Sequence, residues 1–327
     1  MGVAVKSPYA HRKRLDGTAF KEKEEATMRQ KNIVVIACAI LIIFAAGTAL
    51  AGAHGEKKAG KTAILLVAFG TSVPQAQKAF DVVEARVKKA FPGISVRWAF
   101  TSRIIRKKLA AQGKKLDSPA VALAKFLQDG YTQVLVSSLH SLPGEEFHDL
   151  SKIVGAFQNM KRSANPKIVL SRPLLSSRKN MEAVVKALIA QVPKSRKPED
   201  AVLVMGHGSE HHPGDAVYAA TAFYAKDIDP NFYVGTVEGQ PKLEDIIPKL
   251  KKRGVKKAYL LPLMAVAGDH ARNDMCGKED DSWKSILGKN GIAAECILKG
   301  TAENPEIVDI WLGNMKRAYS HLQETKK

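Results

Sequence analysis

Short, wholly apolar runs alternate with amphipathic stretches along this chain, and the alternation occurs twice. AILLVAF (63–69) has no polar position in its length, the pattern of a strand buried on both faces. After it, PQAQKAFDVVEARVKKAF places Ala79, Val82, Val83, Val87 and Ala90 at helical spacing. SVRWAF then predicts a strand, SPAVALAKFLQDG a helix stopped at Gly130, and TQVLVSSL a further strand. PKIVLSRPLL and the helix MEAVVKALIAQV complete the first set. The polar segment PKSRKPED (193–200) interrupts, and the pattern restarts with AVLVMGHGS, FYVGTVEGQ, the helix EDIIPKLKKRG and KKAYLLPLMAVAGDH. Strand and helix in repetition predict an α/β protein of two similar Rossmann-like domains, each a parallel sheet covered by helices.

The two sets correspond at their strand ends. FGTS stands beside GHGS, WAFTS beside GTVEG, and SLHSLPGEE beside PLMAVAGDH, which reads as duplication of one α/β unit. The expected domains are 54–192 and 201–327, with 193–200 as the linker.

Residues 1–53 stand apart from this pattern. IVVIACAILIIFAA (33–46) is an uncharged apolar run preceded by Arg29 and Lys31 and followed by small residues at Ala49, Ala51 and Ala53. This is the layout of a secretory signal, with cleavage expected after Ala51 or Ala53 and a start near Met28 in place of Met1. An uncleaved anchor is the alternative, since the run is about long enough to span a bilayer. The small residues after it favour cleavage. The expectation is a periplasmic protein that meets the membrane only through this segment.

Charge survives removal of the leader. Taking the eight Lys/Arg and four Asp/Glu of residues 1–53 from totals of 51 and 32 leaves a balance of +15. A basic surface favours an acidic ligand. Nucleic acid is not expected, because no recognition motif or aromatic interleaving accompanies the charge. Of three cysteines, Cys38 leaves with the leader, and Cys276 and Cys296 remain as either one disulfide or two thiols.

Candidate chemistry gathers at the strand ends, where an open parallel sheet presents its ligand crevice. His207, Glu238 and His270 each follow an apolar strand, so three sequence-distant residues are expected on one rim. Two imidazoles and a carboxylate suit Co2+, Ni2+, Zn2+ or Fe2+, and an incomplete shell leaves positions open for exchange. His207 lies between two glycines, leaving room for a flat ligand, and a neutral imidazole there can accept a proton. Each residue has a plainer role to set against this. Glu238 would cap the helix beginning near Lys242, and Asp269 would orient His270 or cap the next turn.

LLVAFGTS, AFTSRIIRKKL, SLHSLPGEEF, PLLSS, MGHGSEHH, TVEGQP and PLMAVAGDHARNDM followed by DSWK together resemble the anaerobic-pathway sirohydrochlorin cobaltochelatases from Ala63 to Asn304. The resemblance implies the class II chelatase fold, with two α/β domains facing a cleft. It implies insertion of Co2+, with Fe2+ the alternative metal, in cobalamin-type or other tetrapyrrole biosynthesis. Metal binding falls on His207, Glu238 and His270, and catalytic proton handling on His207 and His270. Ser72, Arg103 and His140 are expected at the tetrapyrrole, with Arg106, Lys107 and Lys108 adding charge for its carboxylates. An export signal departs from the usual cytoplasmic setting of such enzymes. The alternative is a periplasmic metal or haem carrier on the same fold. Non-covalent haem on a surface His and association into a homo-oligomer both stay open. A hydrolase built on Ser209 is disfavoured, because GHGS is not a G-x-S-x-G elbow.

Overall fold

The computed structural model describes residues 60–160 and 166–324. The expected leader and signal segment lie outside the described residues. No described helix is long and apolar enough to cross a membrane.

Two four-stranded, wholly parallel sheets form the frame. The first contains β1 (Thr62–Ala68), β2 (Ser95–Phe100), β3 (Gln133–Ser138) and β4 (Lys167–Leu170) in the order β2-β1-β3-β4. The second contains β5 (Ala201–Gly206), β6 (Phe232–Thr236), β7 (Lys257–Pro262) and β8 (Ala293–Cys296) in the order β6-β5-β7-β8. The two orders are the same four-strand order used twice, in agreement with a duplicated unit. β1 and β5 are central, and Ala63–Ala68 and Ala201–Gly206 are fully buried, which is why both read as uninterrupted apolar runs. β8 was not legible: AAEC is short, half-exposed and at a sheet edge, so it carries neither an apolar run nor a clean alternation.

The helices are α1 (Pro74–Ala90), α2 (Arg103–Ala111), α3 (Pro119–Gln128), α4 (Glu145–Gln158) and α5 (Arg178–Ile189) in the first set. In the second they are α6 (Ala216–Ala225), α7 (Leu243–Lys252), α8 (Trp283–Lys289) and α9 (Pro305–Gln323). Their starts are chemically marked. Ser118 accepts from the N–H of Val121 with Pro119 behind it, and Asn304 accepts from Glu306 and Ile307 with Pro305 behind it. Gly130, at φ +78°, ends the turn after α3.

α9 follows the second sheet in sequence but packs on β3, β4 and α5 of the first. Ile307, Trp311, Met315 and Leu322 are buried along it and join the core cluster that holds Leu135 and Leu139. Asn314 fixes the contact by donating to the carbonyls of Arg172 and Pro173 at 3.2 and 3.0 Å. The polar 193–200 segment is also held, since Arg196 donates to Asp200 O and to Asp229 Oδ2. Cys276 and Cys296 form a disulfide that ties the segment after His270 to β8.

Candidate metal centre

In each sheet the chain leaves the two inner strands in opposite directions, from β1 toward β2 and from β3 toward β4, and likewise from β5 toward β6 and from β7 toward β8. The loops beyond β1 and β3, and beyond β5 and β7, therefore diverge and open a crevice at the carboxyl ends. Both crevices contribute to one cleft of about 810 Å3, walled by Phe69–Val73 and Leu139–Leu142 from the first set and by His207–His212, Glu238, Leu263–Val266 and Gly268–His270 from the second.

His207, Glu238 and His270 are brought together there, each offering a donor atom, with these atoms all within 4.8 Å of one another. The His207 and His270 rings stand nearly perpendicular, 88° apart, with centroids at 4.8 Å. His207 Nδ1 lies 2.9 Å from the carbonyl of Gly208, which only accepts, so Nδ1 carries the proton and Nε2 keeps its lone pair. Glu238 Oε2 stands 3.5 Å from the same Nδ1. His270 precedes a π-helical turn, Ala271–Met275, and its Nδ1 lies 2.6 Å from Asp274 Oδ2. That hydrogen bond fixes the ring and likewise leaves Nε2 bare.

Several sequence assignments change here. Asp274, not Asp269, orients His270; the i, i+4 spacing in HARND was the available signal. Glu238 does not cap α7, because Asp245 accepts the N–H of Lys242 in that role. Ser72 and His140 line the cleft, but Arg103 does not. Arg103, Lys107 and Lys108 are exposed on α2, while Arg106 turns back to the carbonyls of Phe100 and Thr101. Among the described residues, the wall has six carboxylates and five imidazoles but no Lys or Arg. The basic surplus is therefore elsewhere on the surface, and the wall itself favours a cation. Phe69, 46% exposed, faces His207 with ring centroids 6.4 Å apart.

His140 differs from the other cleft imidazoles in being buried. Its Nδ1 lies 2.9 Å from Ser138 Oγ, Nε2 has no partner among the described residues, and burial lowers its pKa to about 4. It is neutral at neutral pH because the buried cation would be poorly solvated.

Two repeated parallel α/β units with their strand ends on one cleft, and a His–Glu–His cluster on its second-half rim, define the class II chelatase architecture. SirB from Bacillus subtilis, solved with Fe3+, has a similar fold, with a TM-score of 0.54 and 17% identity over 80% of this chain and 98% of that one. Residues 62–320 match the cobalt chelatase (CbiK) family, and the chain belongs to that family. It is 42% identical over 265 residues to sirohydrochlorin cobaltochelatase CbiKC of Nitratidesulfovibrio vulgaris, covering 81% of this chain and 93% of the relative. It is 37% identical over 260 residues to sirohydrochlorin cobaltochelatase of Salmonella typhimurium, covering 79% and 96%.

Proposed function

We infer that this protein is a sirohydrochlorin cobaltochelatase of cobalamin biosynthesis, with Co2+ as a substrate held by His207, Glu238 and His270. The observation that carries the ligand assignment is the convergence of those three side chains, from three separate strand ends, within 4.8 Å at an open cleft. Two neutral imidazoles and one carboxylate hold a borderline ion without closing its shell. The ion can then exchange protein donors for nitrogens one at a time.

Insertion forms four Co–N bonds and releases two pyrrole N–H protons. As the ion leaves, the Nε2 lone pairs of His207 and His270 become free and accept those protons, so each ligand lost becomes a base gained. Ser72 and His140, on the opposite wall, and the exposed ring of Phe69 are the groups assigned to the macrocycle, because all three line the same cleft. Arg103 is left to carboxylates that project beyond the cleft. Fe2+, Ni2+ and Zn2+ suit the same donors, and supply as well as geometry decides among them.

Mixing purified protein with sirohydrochlorin and Co2+, Fe2+ or Ni2+ and following absorbance tests this reading. Multiple turnovers with Co2+ are expected. Tight Co2+ binding without turnover would make the protein a carrier instead.

The same reading places the protein in the periplasm, with the leader 1–53 removed and α/β units at 54–192 and 201–327. The Cys276–Cys296 disulfide supports this, since structural disulfides persist in oxidising compartments. Mass spectrometry of the native protein is expected to find its amino terminus near Gly52 or His54. A retained Met28–Ala51 segment would replace cleavage with anchoring.

A further inference from the structure

The loops carrying His207 and Glu238 run side by side beyond the ends of β5 and β6. The parallel ladder continues past both strands: the N–H of Val237 donates to Gly206 O at 3.1 Å and that of Glu238 to His207 O at 2.8 Å. Glycines permit this approach. Gly208 has φ +81°, and a Cβ there would meet Gly239 N at 2.5 Å; a Cβ on Gly239 would meet Ser209 N at 2.6 Å. One residue further on, the N–H groups of Ser209 and Gln240 both donate to Asp215 Oδ2, at 3.2 and 2.8 Å. A single carboxylate oxygen thus pins the residue two beyond His207 and the residue two beyond Glu238.

Asp215 is itself braced. It closes the short turn Pro213–Asp215 that leads into α6, and three residues later Tyr218 is buried against Gly206, where an added Cβ would meet the ring at 2.4 Å. The Tyr218 hydroxyl reaches the backbone at His207 and Gly208. The first turn of α6 therefore grips the His207 loop from below, through Tyr218, and from its far end, through Asp215.

We propose that Asp215 is a positioning residue for cobalt insertion, setting the spacing of His207 and Glu238 without ligating the ion. This rests on the metal role proposed above for those two residues. The task suits a carboxylate, because one anionic oxygen accepts two N–H bonds, each stronger than its neutral counterpart. An acid at a helix start also favours the helix dipole, and that role alone would tie Asp215 to the stability of α6 and to nothing at the metal.

The test uses the purified protein and its Asp215→Ala, Asp215→Asn and His270→Ala variants. Co2+ is titrated by its visible d–d absorption, sirohydrochlorin is titrated without metal, and each variant is melted. Asp215→Ala is expected to weaken Co2+ binding at least about tenfold and to alter the d–d band, as loss of an outer-shell partner does. Sirohydrochlorin affinity is expected to stay within about twofold. Asp215→Asn keeps a neutral acceptor oxygen, so its loss of Co2+ affinity is expected to be smaller, about threefold.

Wild-type Co2+ affinity and spectrum in Asp215→Ala would overturn the proposal, whatever the melting temperature. So would parallel loss of both ligands, which would make Asp215 a substrate contact. Should Asp215→Ala not fold, Asp215→Asn decides, and an unchanged Co2+ affinity there overturns the role. The wild type and His270→Ala test the underlying metal site separately: equal Co2+ binding by the two removes that site and the positioning role with it.

Discussion

His270→Ala is expected to abolish practical Co2+ insertion while leaving a folded protein. Removing an outer-shell partner of a metal ligand typically costs 10–100-fold in affinity or activity, so removing the ligand itself is expected to cost more than about 100-fold. The fold has little stake in this side chain, which is about one-third exposed and whose hydrogen bond is to the half-exposed Asp274. Stability is therefore expected to fall by no more than about 1 kcal/mol. Steady-state insertion followed by absorbance, beside a thermal melt, makes the comparison. A variant that inserts cobalt at the wild-type rate removes His270 from the metal site, and one that unfolds makes its role structural.

Acidification is expected to destabilise the protein through His140. The folded pKa is about 4 and an unperturbed histidine titrates near about 6.5, so the unfolded chain binds a proton that the folded one refuses. The contribution of this neutral imidazole is complete above about pH 6.5 and is lost as pH falls from there through about 4. The full difference is about 3 kcal/mol, on the order of a hundredfold in the folding equilibrium. Carboxylates also protonate in that range, so the measurement must be a difference. Urea unfolding of the wild type and His140→Gln is compared at about pH 7.5, 5.5 and 4. The variant stays neutral at this position throughout, and the wild type is expected to lose about 3 kcal/mol more than it does over the range. Parallel pH profiles would show that His140 is protonated in the folded protein.

The positions of His207, Glu238 and His270 were legible because each lies beyond an apolar run that reads as a buried strand, His207 directly and His270 after the loop that follows β7, and parallel strands deliver such residues to one end. Their partners were not legible. Asp215 and Gln240 are separated by 25 positions in sequence, and only the pairing of β5 with β6 makes them neighbours. Asp274 lies four residues from His270 and could have been read from helical spacing, but the π-helical turn that realises it has no such clear sequence mark. Arg103 follows a strand end, as the site residues do, and yet is exposed on α2, where Ile105 and not Arg103 lines the cleft.

The sequence by itself determined the alternation of strands and helices, the repetition of one unit and the three strand ends beyond which the candidate metal ligands lie. These follow from local apolar periodicity, which a chain displays before it folds. Tertiary structure decided that Cys276 reaches Cys296, that α9 crosses to cover the first sheet, and that the cleft wall, among the described residues, lacks Lys and Arg despite the basic surplus. Each of these depends on distances between residues far apart in sequence or on which face of an element is turned inward. Both are fixed only when the sheets pair in register and the remaining apolar faces find cover.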